Sequence, residues 1–157
     1  MHKVAILYPV FALALWTCVV LLQIPIARFR AAARREVVAC DFKYGESATV
    51  PAYVCIPNRN YMNLLEVPVL FYVACLLLYV TDGASTTLVA LAWAYVALRV
   101  LHSLIHLSYN HVYHRLMAFA ASNLVLIAFW LLAALWLWRF DFLRERSIRS
   151  RVLKLLA

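Results

Sequence analysis

The chain has little charge, little glycine and no paired-cysteine motif. Only 14% of its 157 residues are charged and two are glycine, while 67% are hydrophobic. Such a composition excludes an ordinary soluble domain. None of the four cysteines forms a CxxC pair, so no zinc or redox motif is present. Cys18 and Cys75 fall in apolar runs, where a thiol behaves as a small hydrophobe. Cys40 and Cys55 share one loop, and their spacing permits a disulfide without requiring it. The first apolar run is too long for the core of a signal peptide and lacks a small-x-small cleavage site, so it reads as a retained helix. There is no internal repeat and no low-complexity segment.

What the chain does have is four apolar runs, each long enough for the roughly 20 residues that cross a bilayer core. They cover about 4–26, 61–80, 86–107 and 115–138. A long polar stretch, 28–60, separates the first two, and Gly45, Pro51 and Pro57 mark its later part as loop. Its start, up to about Ala39, can extend the first helix beyond the bilayer. The turn Thr81-Asp82-Gly83 and the connection Ser108–His114 are short enough to force antiparallel neighbours. The expected fold is therefore all-α, an integral membrane four-helix bundle forming a single domain over 1–157. Pro68 lies inside the second run and predicts a kink one turn beyond Glu66. The tail 139–157 alternates basic and apolar residues and predicts an amphipathic helix on the membrane surface.

The net charge of +8 comes mainly from basic residues after the first run and in the tail. That placement suits anionic lipid headgroups rather than nucleic acid, so membrane lipids are the expected contacts. Counted by membrane face, seven Lys or Arg lie on each side, and charge alone does not set the orientation.

A few polar residues interrupt the apolar runs. An ionised side chain at membrane depth costs about 2.5–3.5 kcal/mol, so each needs a partner or a use. Arg59, Asn63 and Glu66 stand at i, i+4 and i+7, one face of a helix. Arg99, His102 and His106 repeat that spacing in the third run. Antiparallel packing brings both sets to one leaflet, together with Arg28, Arg30 and Arg115. A plain structural explanation pairs Glu66 with Arg59 or Arg99. One carboxylate cannot neutralise Arg59, Arg99 and Arg115 together, and the surplus of cations invites an anion bearing carboxylates or a thiolate. His102 and His106 can bridge helices, transfer a proton or join Glu66 at a metal; no metal is expected. Tyr109, Tyr113 and the tryptophans suit the interfacial belt, and Gln23 and Asn123 suit hydrogen bonds between helices.

The stretch Arg59-x3-Asn63-x2-Glu66, followed by an apolar helix with Pro68, resembles the second-helix signature of the MAPEG family, the membrane-associated proteins of eicosanoid and glutathione metabolism. The segment RVLHSLIHLSYNHVYHR, with Arg99 and Arg115 sixteen apart, resembles the same family in its bacterial branch. A tyrosine common in that family seven residues after the third-helix arginine is His106 here. The resemblance implies a homotrimer with glutathione bound between subunits near the cytoplasmic face, which would place loop 28–60 on that side. By position, Arg59, Asn63 and Glu66 would hold glutathione, with Arg99 as a deeper charge partner, His102 and His106 nearby, and Arg28 or Arg30 from the first helix. Arg115 would be the catalytic residue, its guanidinium favouring the thiolate.

The resulting expectation is a multi-pass protein, in a bacterial inner membrane, that uses glutathione as co-substrate in a transferase or peroxidase reaction on a small lipophilic electrophile. The alternatives are a non-enzymatic membrane assembly or lipid- or glutathione-binding protein of the same fold, and a proton or metal transporter built on His102, His106 and Glu66.

Overall fold

The computed structural model describes residues 3–156, with side chains through Arg139. A 3-10 turn, Lys3–Ile6, leads into α1 (Leu7–Ala33), followed by a loop containing a short 3-10 turn at Ala39–Phe42. Then come α2 (Ala52–Leu65), α3 (Pro68–Val80), α4 (Thr86–Leu107) and α5 (Val112–Leu156). Four segments are long and apolar enough to cross a bilayer: Lys3–Ala33, Ala52–Val80, Thr86–Leu107 and Val112–Arg139. The protein is an all-α, multi-pass integral membrane protein, and no strand occurs among the described residues. The side chains expected to make the tail 139–157 amphipathic lie, after Arg139, outside the described residues.

Three prolines bear on the helix boundaries; the extension of the first helix is one the sequence allows, and the two boundaries of the second span differ from the sequence expectation. Pro25 stands inside α1, which continues to Ala33; the missing N–H removes only the bond to the Leu21 carbonyl, and the alanine-rich stretch beyond it carries the helix on. Pro57 likewise stands inside α2, which begins at Ala52 rather than near Tyr61. Here Val54 and Cys55 pack with Ala31, Val37 and Val50 in a small second core, and that burial holds the first turns helical despite the proline. The other difference is the break in the second span. Pro68 does not kink a continuous helix: the chain leaves helical geometry at Glu66 (φ −75°, ψ −87°), and Pro68 opens α3. A proline at the first turn of a helix loses no hydrogen bond, since the N–H there has no partner within the helix.

The main core joins four spans. Leu13 and Val20 of α1, Phe71 and Leu78 of α3, Tyr95 of α4 and Phe129 of α5 are all buried. Phe71 is the hub, its ring 4.7 Å from Tyr95 and 6.0 Å from Phe129. At the α3–α4 turn, Gly83 is required by close approach: a Cβ there would lie 2.7 Å from the Trp136 ring. Ser85 caps α4, its Oγ accepting from the Leu88 N–H.

The polar interior lies towards the opposite end of α4. Ser103 is fully buried, and its Oγ accepts from Trp16 Nε1 at 2.9 Å and Asn60 Nδ2 at 2.6 Å, tying α1 and α2 to α4. The four cysteines are free. Cys55 Sγ points to the Pro51 carbonyl at 3.6 Å instead of to Cys40.

Candidate functional site

Helical spacing builds one cavity on the polar side of the bundle. Along α2, Cys55, Arg59 and Asn63 recur every four residues; His102 and His106 do so on α4, and Arg115 and Phe119 on α5. Residues four apart share a face, and the three faces converge on a cavity of about 700 Å³. Glu46, Ser47 and Val50 of the loop after α1 and Asn110 of the α4–α5 connection complete its lining.

Arg115 is the most heavily engaged group. The helix starts at Val112, so Arg115 lies in the first turn of α5, its N–H bonded to the His111 carbonyl at 3.0 Å. Its Nη1 donates to Asn110 Oδ1 at 2.8 Å. His106 Nδ1 is 2.9 Å from the same oxygen and 3.1 Å from Nη1. An amide oxygen only accepts, so His106 carries a proton on Nδ1 and shares the Asn110 acceptor with Arg115. The Arg115 main chain is also used: its carbonyl lies 3.1 Å from His102 Nδ1. Both histidines therefore meet Arg115, His106 only through the Asn110 oxygen that the two share and His102 through the backbone carbonyl.

Arg59 is the opposite case. It is exposed at the cavity wall, and its side chain makes no hydrogen bond or ion pair among the described residues. Asn63, one turn on, donates from Nδ2 to the Arg59 carbonyl at 3.0 Å, which leaves its amide oxygen free to accept.

The loop after α1 supplies the one acid among the described lining residues, Glu46. Arg28 Nη2 approaches Glu46 Oε1 at 3.5 Å, and the Arg28 guanidinium lies over the Phe42 ring at 4.5 Å. Arg28 thus reaches the cavity through Glu46, whereas Arg30 is exposed and outside the lining. The loop is held by Asp41, which accepts from the Val38 N–H at 2.8 Å and the Ser47 hydroxyl at 3.1 Å. These bonds keep the Asp41 carboxyl below its ordinary range. Tyr53 on α2 donates to Glu36, closing the loop from the other side. Gly45, at φ +103°, makes the bend before Glu46.

Besides Arg30, two expected site residues stand apart from the cavity. Arg99 is fully buried behind it, with Nε donating to the Tyr95 hydroxyl at 3.1 Å and Nη2 to Asn123 Oδ1 at 2.7 Å. It lies against the rings of Tyr95 and Phe119 and has no carboxylate partner among the described residues. Glu66 is exposed on the outside of the span, because the helix ends at Leu65 and the i, i+4, i+7 face does not continue to it. The simple pairing of Glu66 with Arg59 or Arg99 is therefore not formed within the chain. No group of three potential metal ligands occurs among the described residues.

Residues 6–135 match the family model described as the MAPEG family. The chain belongs to the MAPEG family. It is accordingly a membrane protein of the kind associated with glutathione and eicosanoid metabolism. No curated protein and no solved structure matches the chain. Within this MAPEG chain, the lining residues that sequence reasoning missed are Glu46, Ser47, Asn110 and Phe119. Asn110 carried a usable signal, an asparagine in a short connection, where the left-handed conformation it adopts (φ 47°) is tolerated. Glu46 gave none, since its position depends on how loop 34–51 folds back.

Proposed function

We propose that the chain is a glutathione-dependent membrane transferase or peroxidase acting on small lipophilic electrophiles that enter from the lipid. The observation that carries this reading is the charge of the cavity. Arg59 and Arg115 face it, and Glu46, the acid beside them, is already engaged by Arg28. A site of about 700 Å³ lies within the usual range for small-molecule pockets. Glutathione brings two carboxylates, an amine and a thiol. Arg59 would take a carboxylate and Asn63 a backbone amide, while Arg115 would lie against the sulfur. A cation within about 4–6 Å lowers a thiol pKa by roughly 1–3 units, and a shift above about 1.5 units makes the anion the main form at neutral pH from a reference of about 8.5.

The functional unit in this reading is a homotrimer in a bacterial inner membrane. Glu66 supports it: an exposed carboxylate midway along the 29-residue span Ala52–Val80 would meet lipid in a monomer, and a neighbouring copy can supply its partner. Arg99 and Arg30 then serve as deeper and peripheral positive charge.

A second reading, a glutathione-binding assembly without turnover, draws on one feature: Nη1 of Arg115 is already satisfied by Asn110. Both readings are tested by titrating detergent-solubilised wild type and Arg59→Ala with glutathione, then supplying aryl halide electrophiles and lipid hydroperoxides. Arg59→Ala should bind at least about tenfold more weakly, given about 1.5–3 kcal/mol for a hydrogen bond to a charged group. Equal affinities would remove Arg59 from the site. Binding without consumption of glutathione on any electrophile would favour the assembly.

A further inference from the structure

His102 has one ring nitrogen spoken for and one left over. Nδ1 lies 3.1 Å from the Arg115 carbonyl oxygen. A carbonyl only accepts, so Nδ1 carries the proton, and in the neutral ring the lone pair belongs to Nε2. Nε2 is buried and has no hydrogen-bond partner among the described residues. The residue is only 4% exposed, yet it is among those lining the cavity shared by Arg59, Asn63 and Arg115. A buried polar atom without a partner costs about 1–3 kcal/mol. Such a cost points to a group that receives its partner from a ligand.

We infer that His102 Nε2 is the proton acceptor for a thiol bound in this cavity, with the Arg115 carbonyl fixing the tautomer that makes it one. The inference rests on the glutathione reading above. In the step, the S–H bond breaks, its electron pair stays on sulfur, and the proton forms a bond to Nε2. The sulfur becomes a thiolate beside the Arg115 guanidinium, and the ring becomes an imidazolium that still donates from Nδ1 to the same carbonyl. One negative and one positive charge appear together, so the net charge of the cavity is unchanged. This matters because the groups facing the ring are mostly basic: Arg99 and His106 on its own helix, Arg115 on α5 and Arg59 across the cavity, with Glu46 the acid. A proton arriving alone would meet repulsion from these cations, whereas a proton arriving with its thiolate does not.

Arg115 thus has two separate duties. Its guanidinium stabilises the anion and its backbone aims the base. The division also accounts for a histidine at this point of α4: no other side chain can donate from one atom to a fixed carbonyl and accept a proton at the opposite side of a rigid ring near neutral pH. Phe119, whose ring centroid lies 5.6 Å from that of His102, closes one side of the imidazole.

The test uses wild type and His102→Gln in detergent, titrated with glutathione and with S-methylglutathione, which has no thiol proton to give. Bound thiolate is read by ultraviolet difference absorption against pH. The affinity of each protein for S-methylglutathione measures binding without the thiol proton and is the reference for its glutathione titration. The midpoint for thiolate formation in the variant should rise by at least about one pH unit, a tenfold loss of thiolate below it. A second reading uses wild type alone, so it stands even where the variant fails to fold. Nitrogen-labelled histidine spectra should show His102 as an imidazolium with glutathione bound and neutral with S-methylglutathione. An unchanged midpoint in His102→Gln, or a neutral His102 ring beside a formed thiolate, overturns the role of His102 and leaves the glutathione site standing. Failure of wild type to bind either ligand overturns both.

Discussion

Asn110 holds Arg115 in place: the amide oxygen accepts from Nη1 at 2.8 Å, and the asparagine reaches it from a left-handed backbone at φ 47°. Two properties of one residue are thereby linked, a conformation that few side chains tolerate and an acceptor at the mouth of a cationic cavity. They separate experimentally. Asn110→Gly keeps the backbone free to be left-handed and removes the acceptor, so stability should fall only by about 1–3 kcal/mol, for the stranded His106 donor, while thiolate formation by bound glutathione falls. Asn110→Ala adds the left-handed penalty of about 1–2 kcal/mol and should lower stability further. Equal thiolate signals in wild type and Asn110→Gly would show that Arg115 does not need the clamp.

Ser103 is the second junction whose removal has a calculable effect. Its hydroxyl is the acceptor for both Trp16 and Asn60, and Asn60 is fully buried with its own Oδ1 already unpartnered. Ser103→Ala leaves two donors without an acceptor in a low-dielectric interior, at about 1–3 kcal/mol each. A loss of about 2–4 kcal/mol is expected in equilibrium unfolding with denaturing detergent. Ser103→Thr keeps the hydroxyl and should recover most of it. A change below about 0.5 kcal/mol, the scale of an ordinary surface substitution, would mean that water replaces the hydroxyl freely.

The spans and the convergence were legible in the sequence for one reason: in a bilayer, apolar length and the placement of polar breaks are the dominant signals. Four apolar runs became four spans, and the helical spacing of Arg59 with Asn63 and of His102 with His106 carried into shared faces. The failures have a common origin in proline and in the loop. Pro57 was overridden by the packing of Val54 and Cys55. Pro68 displaced the break to Glu66, which leaves that residue exposed and off the face shared by Arg59 and Asn63 within one chain. Arg99 could not be placed because its partners, Tyr95 and Asn123, are neutral and leave no charge pattern to follow. Glu46 reaches the cavity only because Asp41 ties the loop back on itself, a tertiary event without local periodicity.

That loop should respond to pH through Asp41. The Val38 N–H and the Ser47 hydroxyl hold the carboxyl below its unfolded value of about 3.9. A folded pKa that is depressed contributes stability fully above the unfolded value and loses it as pH falls through the folded one. Hydrogen exchange over residues 38–50 should therefore be unaffected by pH between about 6 and 8 once corrected for intrinsic rates, and protection should fade below about pH 4. Asp41→Asn should show the weakened protection already at neutral pH, because a neutral amide is a poorer acceptor for the Val38 N–H. Protection that persists in wild type well below pH 3 would mean the apolar cluster of Ala31, Val37, Val50 and Val54, rather than Asp41, holds the loop.

Glu66 decides whether the site is completed by a neighbour. It is exposed midway along the Ala52–Val80 span and has no ion-pair partner among the described residues. Facing lipid, it would cost about 2.5–3.5 kcal/mol, and an apolar replacement would stabilise the chain without touching assembly. Facing a cation of a second copy, it would do the opposite: Glu66→Gln would strand that cation, at about 2–5 kcal/mol per pair. The expected outcome is the latter. Native mass spectrometry across a dilution series should show wild type as a trimer and Glu66→Gln dissociating at higher protein concentration. Glu66→Leu separates the two environments again, because in lipid it should raise the unfolding temperature and at an interface it should lower it. A Glu66→Leu protein that is both more stable and unchanged in mass would place this carboxylate in the bilayer and leave the cavity to a single chain.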